Sequence, residues 1–189
     1  MAEKKRMRTT KSKDSLAKAF IQLLESTPYE DIKINNVCEV AKVSRVTFYN
    51  NFQSVDEFLL YCFKEHLFKS IEGIDAEKLT AEEAFAKYLD VLVTDFKQKR
   101  DFWNSVKGVN LYSSIYYCMR LWLIQTLTKY LQKYEKELAE GMSFDYFCFL
   151  LAFSIVGAFS YFLNKGKFDE KKFMNHLLQF TFVPYFAHE

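Results

Sequence analysis

Apolar side chains recur at helical spacing along most of the chain, and no stretch alternates convincingly as a strand would. Over residues 12–26 the buried stripe of a first helix consists of Leu16, Phe20, Leu23 and Leu24. Only five Gly and two Pro interrupt the 189 residues. The pattern therefore predicts an all-α fold of about nine helices, with a three-helix N-terminal head and a C-terminal helical bundle.

Two short helices are predicted within residues 34–51. Four small or apolar residues from Ile34 to Ala41 lie at i, i+3, i+4 and i+7, on one helix face. Residues 42–44 interrupt this pattern, and Ser44 is a good N-cap for a helix that starts at Arg45. Two short helices joined by about three residues form a helix-turn-helix, whose second helix enters the major groove of DNA.

The outer side of the second helix carries side chains suited to DNA. A guanidinium donates in pairs to guanine or phosphate, a threonine reaches phosphate or a thymine methyl, and tyrosine and asparagine add hydrogen bonds. The residues concerned are Arg45, Thr47, Tyr49, Asn50 and Asn51. A three-helix module that binds protein shares this period, but a polar outer face between apolar neighbours favours DNA.

Two capping boxes place the next helices. Ser54 with Glu57 and Thr80 with Glu83 predict helices that start at residues 55 and 81, the first running toward Ile71. Further helices are predicted over residues 102–107, 111–138, 145–163 and the C-terminal stretch. We divide the chain into a basic arm with the helix-turn-helix domain, residues 1–53 (the head), and a ligand-binding and dimerisation domain, residues 54–189 (the body).

Aromatic and apolar residues dominate the body. An apolar set with hydroxyl tips suits a flat or apolar small molecule, and the same set also suits a solid aromatic core. The candidate ligand-binding residues are Tyr88, Leu92, Phe96, Trp103, Tyr112, Tyr116, Met119, Trp122 and Phe147.

Residues 146–163 carry no formal charge. The length of this uncharged stretch is near the ~20 residues that span a bilayer. Two serines within the run and Asp145 at its edge argue against a membrane span. A helix that packs on its own chain and on a partner subunit has the same composition, so we expect a homodimer with a four-helix interface. The candidate interface residues are Ser154, Gly157, Ala158, Tyr161, Phe173, Leu177 and Phe180.

Charged residues are unevenly distributed along the chain, although the net charge is only +2. Residues 1–52 hold ten Lys and Arg against six Asp and Glu, a net +4, which leaves −2 for the remainder. Residues 1–11 are predicted to form a mobile basic arm. Such an arm either follows a duplex backbone or is a solvated tail.

The cysteines and histidines indicate no catalytic or metal chemistry. Four cysteines lie far apart without a C-x-x-C motif, and the N-terminus lacks an apolar signal region, so a reducing cytoplasm is expected. Cys62 and His66 lie at i and i+4, but two ligands do not make a metal site. We expect no cofactor, no metal and no enzymatic activity.

The first helix together with VCEVAKVSRVTFYNNFQSVDEFLL resembles the DNA-binding head of the TetR/AcrR family of transcriptional repressors. The resemblance covers residues 8–67 and is strongest at residues 43–45, residues 47–49 and Phe52. In helix count and in the break at residues 164–166, the body resembles the branch related to dihydroxyacetone-kinase regulators.

The resemblance implies DNA contacts for particular residues. Lys33 and Ser44 would meet phosphates near the start of the helix-turn-helix. Arg45, Val46 and Thr47 would face bases and backbone, and Tyr49 and Asn51 would clamp phosphate.

Three positions depart from the family pattern. Lys42 replaces the turn glycine, where it must tolerate the turn geometry and can supply a phosphate contact. Val46 replaces a frequent glycine of the recognition helix. Val55 replaces a common lysine, which removes one expected phosphate contact.

A repressor that binds a palindromic operator as a homodimer is the function implied by the resemblance, with release by a small apolar or aromatic ligand. Its two recognition helices must lie about one turn of DNA, ~34 Å, apart. The alternative is a co-regulator that keeps the helix-turn-helix head but acts by contacting another protein.

Overall fold

The computed structural model describes the backbone of residues 2–67, 69–166 and 169–186, and their side chains from residue 10 onward except residues 67, 69 and 72. Within these ranges the chain forms nine α-helices and no β-strand. The all-α prediction is confirmed.

The first four helices form the head and its junction with the body. They are α1 (Ala2–Leu24), α2 (Ile34–Val40), α3 (Arg45–Asn51) and α4 (Val55–Cys62), with a short 3₁₀ turn at Tyr29–Asp31. The prediction of a mobile arm is wrong for the backbone, because α1 is helical from Ala2. Lys, Arg, Glu and Met are good helix formers, and no Gly or Pro precedes Pro28. Contacts of the arm's side chains before residue 10 lie outside the described residues.

The connector, residues 63–67 and 69–80, lies between α4 and α5 and contains no α-helix. A π-helical turn over Phe63–Leu67 and a 3₁₀ segment over Lys69–Gly73 replace the single helix predicted to Ile71. This combination of a wider and a tighter turn leaves both Phe63 and Ile71 buried.

Five further helices form the body. They are α5 (Ala81–Gln98), α6 (Arg100–Ser105), α7 (Ser114–Leu131), α8 (Phe144–Asn164) and α9 (Glu170–Leu177). The long helix predicted over residues 111–138 is shorter at both ends, since Ser113 occupies the N-cap position and a 3₁₀ segment follows Leu131. After α9 the chain continues through a π-helical and a 3₁₀ turn to residue 185.

The predicted capping residues act at the helix starts. Ser44 and Ser54 accept hydrogen bonds from the amides of Thr47 and Glu57, each at 3.1 Å. Thr80 and Glu83 bond reciprocally, and these hydrogen bonds lower the pKa of the Glu83 carboxyl. Each such cap contributes about 1 kcal/mol to helix stability.

Aromatic rings build the core of the head. Phe48 and Phe52 of the helix-turn-helix pack edge-on against Phe58 of α4, with ring centroids 5.2 and 5.1 Å away. Phe20 of α1 reaches the same Phe58 ring at 5.4 Å. Burial of each ring contributes roughly 1.5–3 kcal/mol, so this cluster fixes α3 against α1 and α4.

The body encloses a second aromatic cluster and one buried carboxylate. Phe96 stacks on Phe159 at 4.1 Å and meets Trp103 edge-on at 4.8 Å. Asp95 is 5% exposed, lies 3.4 Å from the ammonium of Lys99 and accepts a 2.6 Å hydrogen bond from Ser70. This pairing ties the connector to α5.

Helix α8 passes a length and composition test for a membrane span. Its 21 residues include a window of mean hydropathy 2.0, of which 44% is buried inside the protein. The core helix of a soluble protein passes the same test, so this single helix is weak evidence for a membrane.

Candidate DNA interface

The turn between α2 and α3 depends on an unusual backbone conformation. Lys42 has φ of 55°, and no other non-glycine residue in the described part of the chain has a positive φ. The following amide, of Val43, donates to the carbonyl of Cys38 at 3.0 Å and closes the turn. A lysine in this left-handed region costs about 1 kcal/mol or more relative to glycine. The strain expected at Lys42 is therefore confirmed.

Helix α3 has one buried anchor and an exposed opposite side. Phe48 is fully buried among Tyr49, Phe52 and Phe58. On the outer side, Val46 is 68% and Tyr49 51% exposed. Arg45 and Asn50 are exposed with them. A rigidly held helix thus presents side chains able to read DNA.

Hydrogen bonds within α3 orient part of this surface. The hydroxyls of Ser44 and Thr47 lie 2.9 Å apart, and the Asn51 amide donates to the Thr47 carbonyl at 2.6 Å. Since two hydroxyls share one hydrogen bond, one of their protons stays available to an outside acceptor. Asn51 is half-buried and bonds first to its own helix, which makes it less accessible than Asn50.

Lys33 lies at the start of α2. Its backbone amide donates to Oδ1 of Asn36 at 3.0 Å, and its ammonium donates to the Glu30 carbonyl at 3.2 Å. Lys33 is exposed at the N-cap position of α2. Sequence reasoning missed Asn36, whose position three residues after Lys33 is a capping-box spacing.

A second missed feature fixes the head to α4. The Lys13 ammonium lies over the rings of Phe52 and Tyr61, at 4.8 and 5.6 Å from their centroids. Cation–π contacts of this kind contribute about 0.5–1 kcal/mol at exposed sites. Lys13 falls within the predicted first helix, but the helical pattern gave no sign of this packing role.

The thiol of Cys38 lies behind the interface. Burial raises the pKa of this thiol, an effect that the nearby Arg45 guanidinium reduces. A neutral, buried thiol is a packing element. The described residues contain no group of three or more His, Cys, Asp or Glu side chains that could hold a metal ion.

No protein-family model matches the sequence. Over 49 residues the chain is 41% identical to the transcriptional activator DhaS of the dhaKLM operon of Lactococcus lactis, which amounts to 26% of each chain. The match thus spans about a quarter of that relative.

Solved structures resemble the chain over nearly its whole length. A TetR transcriptional regulator from Streptococcus agalactiae superposes with a TM-score of 0.59 at 22% identity, covering 96% of this chain and 99% of that one. The chain has a TetR-like fold. DhaS, the dihydroxyacetone kinase operon activator, superposes with a TM-score of 0.55 at 20% identity, covering 93% of this chain and 98% of that one. NalD, the secondary repressor of a Pseudomonas aeruginosa multidrug efflux pump, superposes with a TM-score of 0.56 at 17% identity, covering 96% of this chain and 100% of that one.

In this TetR-like body the predicted ligand residues fall into two groups. Tyr112 is 90% exposed just before α7 and does not share a surface with the others, which corrects its place in the set. The remaining eight are buried, and two of their hydroxyls bond to protein: Tyr88 to Thr126 at 2.7 Å and Tyr116 to the Val106 carbonyl at 3.4 Å. A role for these eight in ligand binding stays a prediction.

The predicted interface residues also divide. A groove of about 900 Å³ between α8 and α9 is lined by Ser154, Gly157, Ala158 and Tyr161, among others. Phe180 lies beyond α9 and is 70% exposed. Phe173 is a correction, because it is fully buried in its own chain against the rings of Phe96 and Phe162. Leu177 is also fully buried, but it lies at the base of this groove. The apolar period of α9 does not reveal which neighbour covers it.

Proposed function

We propose that this protein is a transcriptional regulator that binds a palindromic operator as a homodimer and represses the genes beside it. The observation that carries the proposal is the exposed outer side of α3 on a TetR-like fold. That helix is held by the fully buried Phe48, and its reading side chains point away from the core. The division into a DNA-binding head, residues 1–53, and a body, residues 54–189, is part of the proposal.

In this proposal the head reads bases with three residues. Arg45 donates in pairs to guanine, Val46 contacts a thymine methyl, and Asn50 adds a hydrogen bond to an adenine or a neighbouring base. The 68% exposure of Val46 supports a direct apolar contact, because its own chain leaves most of that residue open to solvent.

Phosphate contacts set the register of the head on the duplex. Lys33, Lys42 and Tyr49 are exposed on the same head, and the hydroxyls of Ser44 and Thr47 share one hydrogen bond, so one proton is free to donate. Asn51 completes the predicted set from a half-buried position, with its amide already bonded to Thr47. Contacts of this type add affinity without reading sequence.

The body joins two copies in this proposal. Helix α8 leaves Tyr146, Phe149, Phe153 and Tyr161 between 40% and 58% exposed, and Phe180 lies 70% exposed nearby in the chain's last helical segment. A run of exposed aromatic residues on one apolar helix is typical of an interface. Two copies related by a two-fold axis present two α3 helices to two half-sites.

Gel-shift titration with DNA from beside the gene tests the proposal. We expect Arg45→Ala and Tyr49→Ala each to weaken binding by roughly tenfold or more, since each loses about 1–3 kcal/mol of contact. Arg100→Ala and Tyr112→Ala are matched controls, because both residues are exposed on the body. Equal binding by wild type and all four variants would overturn the assignment of α3.

Whether the protein represses or activates is decided by a separate measurement. DhaS is an activator and NalD a repressor, so relatives of this fold act in both directions. A reporter gene behind the bound promoter should be expressed more strongly when the regulator is deleted. Lower expression would overturn repression, and no DNA binding at all would favour the co-regulator alternative.

A further inference from the structure

A pocket of about 600 Å³ lies between α7 and the connector that follows α4. Its floor is apolar: Ile71 and Trp122 are each 4% exposed, and Ile74 packs beside them. Its rim is polar and carries Lys64 from the connector side and Lys129 from α7, together with Lys133 just beyond α7. An apolar floor with a few convergent polar groups is typical of a small-molecule site.

Some of the lysine and carboxylate side chains on the rim already bond to other groups of the protein. Asp75 accepts from the Glu77 amide at 3.0 Å and so caps its own turn. Lys133 donates to the carbonyl of Ala76 and lies over the ring of Tyr134. Three lysines and two carboxylates line the pocket, an excess of one positive charge, and Glu65 lies beside Lys64 outside the lining.

Two of the lysines are available to a ligand. Lys64 lies 4.0 Å from Glu65, with the two side chains 64% and 42% exposed, a geometry that contributes little energy. Lys129 is exposed on α7, one helical turn before Lys133. Lysines near the last turn of a helix also offset its dipole, so their charge alone would not mark a site. The apolar floor beneath them makes the difference.

The spacing along α7 defines the size of a ligand. Trp122, Thr126 and Lys129 lie on one face of the helix, and seven residues separate the indole from the ammonium. Seven residues of α-helix measure about 10 Å. A molecule that fills this face therefore has an apolar part of about that length with a negative group at one end.

We propose that this pocket binds an amphipathic organic anion. Its apolar part packs on Ile71, Ile74 and Trp122, and its carboxylate, phosphate or sulfonate group pairs with Lys64 and Lys129. Of the ligand residues predicted from sequence, Trp122 belongs to this pocket. The site lies at the surface between α7 and the connector rather than in the solid aromatic core.

The position of the pocket links it to the head. Its connector wall follows directly from α4, and Ser70 fastens that connector to Asp95 of α5 at 2.6 Å. A ligand that holds Lys64 and Ile74 against α7 therefore favours one position of the α4 end. This regulatory consequence rests on the proposed DNA-binding function, since a ligand changes the head spacing only through such differential binding. The binding site itself does not depend on it.

Two fluorescent probes that differ by one charged group test the site. Anilinonaphthalenesulfonate carries a sulfonate on apolar rings, and phenylnaphthylamine is its uncharged counterpart. We expect the sulfonate probe to bind the wild-type protein at one saturable site, roughly tenfold or more tighter than the neutral probe. Equal affinities would overturn the proposal.

Paired variants locate the binding. Lys64→Gln with Lys129→Gln should abolish the preference for the sulfonate, and Ile74→Trp should weaken both probes by filling the pocket. The matched control is Lys165→Gln with Lys172→Gln, which removes two lysines from the α8–α9 groove and should leave both affinities unchanged. A preference that survives the first pair or disappears in the control pair would place the anion elsewhere. Circular dichroism of each variant verifies that it is folded.

A DNA titration separates this proposal from the function it rests on. Saturating sulfonate probe should change operator affinity in the wild type and not in the Lys64→Gln, Lys129→Gln protein. If the probe binds at these lysines without changing DNA affinity, the regulatory link is wrong while the anion site stands. If the wild type binds no DNA, the proposed function fails and the probe titrations still decide the site.

Discussion

The phenol of Tyr61 on α4 donates a 2.5 Å hydrogen bond to Oδ1 of Asp14 on α1, and Nε2 of His66 lies 3.4 Å from the same oxygen. Burial raises the pKa of the Tyr61 phenol, and the hydrogen bond to Asp14 raises it further. One carboxylate of the head thus bonds to the end of α4 through Tyr61, and the imidazole of His66 in the connector lies beside it without a hydrogen bond.

Removal of this hydrogen bond should destabilise the fold. We expect Tyr61→Phe to lower the free energy of unfolding by about 1 kcal/mol, because the bond is to a charged but partly exposed carboxylate. Urea denaturation followed by circular dichroism measures it. Tyr146→Phe is the control, since that side chain is 54% exposed on α8. Equal stability of the two variants would contradict a structural role for the Tyr61–Asp14 bond.

Alkaline pH should unfold the protein through its buried tyrosines. Burial raises the pKa of Tyr29 and of Tyr130 from 10.0 to about 12. Below pH 10 these phenols keep their protons in both the folded and the unfolded state, and stability is undiminished. Between pH 10 and 12 the unfolded state loses these protons more readily than the folded state, so stability is lost as pH rises. Unfolding free energy should therefore fall over this interval, measured by denaturation at stepped pH. A constant value across it, with tyrosinate absorbance that rises around a midpoint near pH 10, would contradict the raised pKa values of these phenols.

Relief of the left-handed backbone at residue 42 should stabilise the head. Lys42→Gly is expected to raise the free energy of unfolding by about 1 kcal/mol, because glycine adopts a positive φ without a Cβ penalty. Lys42→Ala keeps the Cβ and should not stabilise, so the pair separates strain from charge. Both variants should lose DNA affinity to a similar degree if the ammonium meets phosphate. Stabilisation by alanine would contradict the strain argument.

A charge in the α8–α9 groove should separate the proposed homodimer. Tyr161 is 58% exposed at the groove, and two glutamates brought together across a two-fold axis would be desolvated and repel one another. We expect Tyr161→Glu to weaken dimerisation roughly tenfold or more in sedimentation equilibrium. Tyr112→Glu, at the 90% exposed position, is the matched control and should leave the dimer intact. A monomeric wild type would contradict the dimer itself.

Local chemistry explains which features could be predicted. Ser44, Ser54 and Thr80 mark helix starts because their hydroxyls satisfy amides three residues on, a contact that needs no tertiary structure. The glycine-like position of Lys42 was implied by the family resemblance, and its φ of 55° agrees with it.

Tertiary packing decided the rest. Lys13 falls within the predicted first helix, yet the pattern did not show that its ammonium lies over two aromatic rings, which come from α4 and its preceding turn. The aromatic residues of the body have a helical period whichever neighbour covers them, so Phe173 and Tyr112 could be separated only once α9 and the start of α7 were in place. The connector pocket has no local signature, because its floor and its lysines come from segments about fifty residues apart. The sequence by itself determined most of the helices, their caps and the outer side of α3, since these depend on neighbours within one or two turns. Which faces meet, and which stay open to a partner or a ligand, was decided by contacts between distant parts of the chain.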